Sequence, residues 1–451
     1  MKVNVAGAGA GKTTSMADFL TEFPIPDGKT VFCIAFTNAA VDNIVGKVSA
    51  RLGVVPDNIK ISTIHSFLYQ ELIEPYYYFL FGQHFDCLSA INLPSEPGYR
   101  RAKLSQLESD NVLHITAIPE KAKWVTYKKS GDSKAVKDVR KQILNQFRDY
   151  CAAIYVDEAQ DIGEDVKHIL DSLDNAGVDI FLFGDPKQDV RGLGYFREII
   201  DSSEDVQYIS TCHRCPQKHL ELSNTLAMNP EKQVAADDNA EGSIDIVFET
   251  DIEDINQFLC NGNYELQYIS MKRERFETHE MQQVGERFET LFHEVKCAMI
   301  KKWSGQAPEM EINRSAFYIT EKMLKRYDGG GAAGVIINDW VNDGAFDRLD
   351  KPKYAQMITA FKKIDDEKIV IPIVSSIESI KGLEAKKCLF VFTTDLAPYL
   401  FREKKEDNKT SHLLYVALTR SLDNLTILVT TEVENKYTRT RIKKYFASVT
   451  R

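Results

Sequence analysis

Residues Val3-Asn4-Val5-Ala6-Gly7-Ala8-Gly9-Ala10-Gly11-Lys12-Thr13-Thr14 run a short apolar strand into a glycine-rich turn that ends in Lys-Thr-Thr. Glycines in that arrangement let consecutive backbone N–H groups close on a polyphosphate at a helix N-terminus. Lys12 then offers a point charge and Thr13 a hydroxyl for magnesium, so Ala6 to Thr14 is a candidate nucleotide cradle. A second apolar run, Ala152 to Val156, ends in Asp157-Glu158-Ala159-Gln160-Asp161. Adjacent acids at a strand end divide labour. Asp157 is the candidate holder of the Mg2+ that bridges the phosphates, and Glu158 the candidate base that orients and deprotonates water. A third run, Ile180 to Gly184, leads into Asp185-Pro186-Lys187-Gln188, where Gln188 is placed to sense the terminal phosphate.

These residues need rigid elements behind them. Apolar runs at Val31 to Phe36, Ile59 to Ser62, Ala152 to Val156, Ile180 to Gly184, Ile369 to Ser375, Cys388 to Phe392 and Leu425 to Val429 alternate with helical patterns. Strands alternating with helices imply mostly parallel sheets, and two clusters of them imply two α/β lobes. Residues 68 to 148 and 271 to 365 interrupt the clusters. The first reads as mainly helical, and the second carries a charged amphipathic segment from Arg273 to Lys302 and a Gly329-Gly330-Gly331 turn.

At 451 residues, 43% hydrophobic and 27% charged, the chain has the composition of a water-soluble protein of two or three domains. No run reaches the roughly 20 apolar residues of a membrane span, and Met1 leads directly into a strand, so a cytoplasmic protein without a membrane partner is expected. Eight scattered cysteines fit reduced core thiols, including Cys212 and Cys215, the only CxxC pair. The net charge of −10 does not advertise a polyanion partner, which would need local basic surface at residues 99–103, 128–141 or 439–444.

Together the segments resemble the UvrD/Rep-like helicases of superfamily 1A. Asp157 to Asp161 and Gly184 to Gln188 are similar to the family's second and third motifs. Ser376-Ile377-Glu378-Ser379-Ile380-Lys381-Gly382-Leu383-Glu384 is similar to the fifth, and Leu414-Tyr415-Val416-Ala417-Leu418-Thr419-Arg420 to the sixth. The resemblance implies an α/β fold with two RecA-like P-loop NTPase lobes, each interrupted by a mainly helical insertion. The first lobe would comprise residues 1–67 and 149–205 with insertion 68–148, the second 206–270 and 366–451 with insertion 271–365.

It also implies ATP and Mg2+ as cofactors, and residue roles beyond the cradle. Arg214 and Arg420 would reach the γ-phosphate from the second lobe, where a positioned guanidinium is worth about 10³ to 10⁵ in rate. Glu384 would meet the ribose. His213, standing where the family has tyrosine, would stack on the base. Single-stranded DNA, or a tailed duplex, would run past Phe36, Thr37, Asn38, Thr63, His65 and Ser66. In that path the hydroxyl and amide groups would hold phosphates, and Phe36 and His65 would be platforms for bases. The implied activity is an ATP-dependent single-stranded DNA translocase or helicase moving 3′ to 5′. The alternative is a nucleotide-gated regulatory ATPase that activates a nuclease with little unwinding of its own.

Departures from the family pattern sharpen that alternative. Leu193 stands where an aromatic pushes bases along the strand and Glu378 replaces a histidine, while the expected absence of an adenine-recognising segment before Lys2 leaves the choice of nucleotide base open. The second insertion is short. Compact helicases of this kind resemble the helicase subunit of Gabija-type anti-phage systems, which accompanies an OLD-type nuclease and implies such a partner here.

Overall fold

The computed structural model describes residues 1–271, 275–276, 284–303, 307, 309–361 and 374–449. Residues 1–67, 126–281 and 370–451 form one compact unit, and residues 68–125 and 282–369 a second.

The first unit holds two large parallel sheets and a two-stranded one pairing Thr211–Cys212 with Val234–Ala235. One large sheet is built from β1 (Lys2–Ala6), β2 (Thr30–Ala35), β3 (Ile59–Thr63), β4 (Cys151–Val156), β5 (Asp179–Gly184) and β6 (Val206–Ile209). Its order is β3-β2-β4-β5-β1-β6, every pairing parallel. The acid-bearing strand β4 is therefore one strand removed from the loop-bearing strand β1, with β5 and its Asp185 turn between them. Consecutive apolar residues such as Val31 to Ala35 and Ala153 to Val156 are buried on both faces, as a parallel sheet covered by helices requires. The helix Lys12–Glu22 covers one face through Met16, Ala17 and Leu20. The helix Asn38–Leu52 begins where the Thr37 hydroxyl accepts the Ala40 N–H and ends at Gly53, whose φ of 80° closes the last turn on the Ser49 carbonyl.

The second large sheet comprises β7 (Ser243–Phe248), β8 (Leu266–Ile269), β9 (Ser375–Ser376), β10 (Ala385–Phe392) and β11 (Ser421–Val429), in the order β7-β11-β10-β8-β9 and again all parallel. The expected strand at Ile369 to Ser375 lies largely outside the described residues; β9 takes up only Ser375 and Ser376. The helix Lys409–Leu418, entered through a reciprocal Asn408 and Ser411 cap, is buried along nearly its whole length beneath this sheet. The chain thus folds as two RecA-like α/β lobes.

The second unit is largely helical. Its core joins Leu291, Val295 and Met299 of the helix Val284–Trp303 to Ile319 and Met323 of the helix Glu309–Asp328 and to Met357 and Phe361 of the helix Lys351–Phe361. The triple glycine follows Asp328 directly, with Gly330 at a φ of 92°. Among the described residues no helix is long and apolar enough to cross a membrane.

Candidate nucleotide site

The loop, the acid pair and the Asp185 turn sit at the carboxyl ends of β1, β4 and β5 respectively. Gly9 and Gly11 take φ of 69° and 73°, left-handed values that glycine adopts without strain. Beyond the turn, the Thr13 hydroxyl donates to Asp157 Oδ2 at 2.9 Å, and Lys12 Nζ lies 3.9 Å from Glu158 Oε2. The structure thus brings together the loop and the acid pair, 144 residues apart in sequence.

Asp157 is buried and its Oδ1 accepts the Glu158 N–H at 2.9 Å. Burial, reinforced by the Glu158 charge, pushes Asp157 up to about 6, against the pull of Lys12 and Thr13. A divalent cation on Asp157 and Thr13 would offset that burial cost. Burial would raise Glu158 too, but Lys12, Lys381 and the Gln160 amide together hold it below the usual carboxylate range. The Glu158 backbone is left-handed, φ 53° and ψ 44°, an unfavourable state for a side-chain-bearing residue.

Gln160, to which sequence reasoning gave no role, links the two turns: its amide donates to Glu158 and its oxygen accepts the Asp185 N–H at 3.0 Å. Gln188 donates to Asp185 Oδ2 at 2.8 Å from a buried position, so it stands one residue behind the acids. Burial raises the Asp185 carboxyl, with Lys12 and Gln188 opposing.

The second lobe is seated directly on the loop. The His213 N–H donates to the Gly9 carbonyl at 2.8 Å, and a Cβ on Gly9 would collide with the Cβ of Arg214. Cys212 Sγ lies 3.1 Å from the Ala8 carbonyl and Cys215 Sγ 3.5 Å from the Thr419 carbonyl, both thiols buried and free. A ring of hydrogen bonds completes the contact. The Ala8 N–H donates to the Tyr415 hydroxyl at 3.2 Å, Tyr415 donates to Gln233 Oε1 at 3.0 Å, and Gln233 Nε2 returns to the Ala8 carbonyl at 3.1 Å. Gln233 was not singled out by the sequence: it lies in no motif and 225 residues from its partner.

Two expectations change in form. Arg214 forms an ion pair with Glu384, so the arginine expected at the γ-phosphate and the acid expected at the ribose hold one another. Arg420 is fully buried, and its guanidinium donates to the Val416 and Leu383 carbonyls and to the Thr419 hydroxyl. A buried guanidinium must fill its donors, and these second-lobe groups do so. Burial, with the Arg214 charge nearby, lowers its pKa. To act as a finger it would have to exchange those bonds for phosphate oxygens.

The candidate DNA residues lie together at the carboxyl ends of β2 and β3. Thr37, Asn38 and His65 are exposed, while Phe36, Thr63 and Ser66 are half-buried. Thr37 is engaged as the helix cap, and Thr63 and Ser66 share a 2.9 Å hydroxyl contact. Glu378, the acid in the histidine's place, pairs with Lys409. Of the basic segments, Arg439 pairs with Asp251 and Glu434, and Arg441 with Glu403.

A family model for an AAA domain matches residues 1–192. The chain is 25% identical over 491 aligned residues to the Gabija protein GajB of Bacillus cereus (strain VD045), covering 97% of this chain and 95% of that one. These matches make the chain similar to UvrD-like helicases. Solved structures of Arterivirus nonstructural protein 10 (helicase), one of them a complex with DNA, match the chain at 11% identity and a TM-score of 0.36. They cover 95% of it, and it spans 60% and 59% of their length.

Proposed function

We propose that this helicase-family ATPase hydrolyses ATP with Mg2+ to move 3′ to 5′ along single-stranded DNA, within a Gabija-type anti-phage defence system. The observation that carries the reading is the seating of His213, Arg214, Gln233 and Tyr415 of the second lobe on the loop at Gly7 to Gly9. Anything bound in the loop must alter that contact, which couples phosphate chemistry to lobe movement. Asp157 and Thr13 would hold the magnesium, which supplies charge neutralisation at the β- and γ-phosphates. Lys12 would hold the phosphates and Glu158 would take the water proton. Arg214 would leave Glu384 for the terminal phosphate. The path at Phe36, Thr37, Asn38, Thr63, His65 and Ser66 would grip the strand.

A second reading has its own support. The Ala8 N–H is satisfied by Tyr415, and Gln233 fills the space over Gly7, so second-lobe side chains sit where phosphates would have to enter. Nucleotide would then act as a release signal, and the partner would be a nuclease of the OLD type. A 3′-tailed duplex separates the readings. ATP-dependent strand displacement that Lys12→Ala abolishes supports the motor. Hydrolysis without displacement, together with nucleotide-dependent activation of the nuclease subunit, supports the gate.

A further inference from the structure

Cys87, His293 and Cys297 come from both interruptions of the sequence, and none belongs to the nucleotide site. Cys87 opens a short strand, Cys87–Ser89, that pairs in parallel with Val112–His114. His293 and Cys297 are one helical turn apart on Val284–Trp303 and so project from the same face. Cys297 Sγ lies 2.7 Å from Cys87 Sγ and 3.3 Å from His293 Nε2, and the three donor atoms lie within 4.8 Å of one another.

We propose that these three side chains form a zinc site that fastens residues 68–125 to residues 282–369 within the second unit. Two thiolates and an imidazole are the donor set that Zn2+ prefers over harder divalent cations. With Zn–S of about 2.3 Å and Zn–N of about 2.0 Å, tetrahedral ligation puts two sulfurs roughly 3.8 Å apart and a sulfur and nitrogen roughly 3.6 Å apart. His293 is already near that separation from Cys297. The sulfurs need to part by about 1 Å, within reach of small side-chain rotations at Cys87. A bond between the two sulfurs alone would leave the imidazole without a purpose; a metal employs all three. The fourth position opens on a cavity of about 650 Å³ that His84, Asp86 and Glu294 also line, so water or one of these groups completes the shell. Both thiols give up their protons to solvent on binding. The site would close a connection between residues 210 apart in sequence.

The test uses the full chain purified under reducing conditions. About one zinc per chain is expected by elemental analysis, falling at least tenfold in Cys297→Ser and in His293→Gln and unchanged in Cys212→Ser. Cobalt(II) in place of zinc should give the intense sulfur-to-cobalt charge-transfer absorption of a thiolate site. Iodoacetamide should label exposed Cys260 at once, but Cys87 and Cys297 only after chelation. If Cys297→Ser fails to fold, the cobalt spectrum and the labelling order of the wild type decide. The proposal is overturned by wild-type protein with neither zinc nor a cobalt charge-transfer band, by zinc that both substitutions leave in place, or by a Cys87 to Cys297 disulfide in the non-reduced peptide map.

Discussion

Glu158 combines a negative charge, a lysine partner and a left-handed backbone, and each can be tested separately. Glu158→Gln keeps the shape and removes the charge. It should lower kcat for ATP hydrolysis by about 10² to 10⁴, the range of a general base, while nucleotide affinity holds. Glu158→Gly removes the base and also the cost of a side chain at φ 53°. It should be as inactive as the glutamine variant but melt at a higher temperature, an offset of about 1 kcal/mol. Equal melting of Glu158→Gln and Glu158→Gly would show that no strain is held there. Tyr415 makes a different prediction. Phenylalanine fills the same space but leaves the Ala8 N–H and the Gln233 oxygen without a partner, so Tyr415→Phe should cost about 1 to 3 kcal/mol in nucleotide-free urea unfolding. Lys12, Thr13, Asp157 and Glu158 were legible in the sequence because phosphate and metal chemistry fixes their types within short contiguous segments. Gln233 was not, and Tyr415 was picked out only as part of the Leu414 to Arg420 segment, because their contacts are set by a tertiary ring whose members lie 182 to 407 residues apart.

Between elements, a charged seam joins the turn after β5 to the entry of the helix Lys409–Leu418. Asp407 meets Lys187 Nζ at 2.9 Å, Arg197 at 3.0 Å and His412 Nε2 at 2.7 Å, and Lys187 is itself buried. Burial alone would raise the Asp407 carboxyl, but His412 and Lys187 override it and hold it well below the usual range. A carboxylate with a depressed folded-state pKa stabilises the fold above its unfolded pKa, about 3.9, and that contribution is lost as pH falls further. Asp407→Asn should therefore lower Tm by a constant amount above about pH 5, and the gap to wild type should narrow below about pH 4. A gap that stays constant to pH 3 would sink the assignment. Most strands around this seam were readable as uninterrupted apolar runs. Ser243–Phe248 and Val206–Ile209 were missed because they are edge strands with exposed positions interleaved, which breaks the run that marks a strand buried on both faces.

At the scale of the molecule, the −10 charge bears on how DNA could be held. Of the three basic segments named from sequence, 99–103 lies in the helix Pro97–Ser109 and 128–141 runs into the helix Lys134–Tyr150, while Arg439 and Arg441 of the third pair with Asp251, Glu434 and Glu403. The sequence showed those cations but not the acids that fold back on Arg439 and Arg441, which come from residues 188 and 38 positions away. The path proposed for the strand is made of hydroxyls, an amide and two rings, so few phosphates would exchange a counterion for a protein charge. Each neutralised phosphate on a single strand contributes about −0.7 to the slope of log K against log salt. A path of this kind predicts a slope no steeper than about −2, whereas a basic groove engaging eight phosphates would give about −6. Fluorescence anisotropy with labelled single-stranded DNA, titrated from about 50 to 200 mM salt, measures it directly. Arg439→Ala with Arg441→Ala should leave both affinity and slope unchanged, while Phe36→Ala should weaken binding by about 1 to 3 kcal/mol at every salt concentration, because stacking releases no ions. A steep slope that the double arginine substitution flattens would instead place the strand on the second lobe's C-terminal helix.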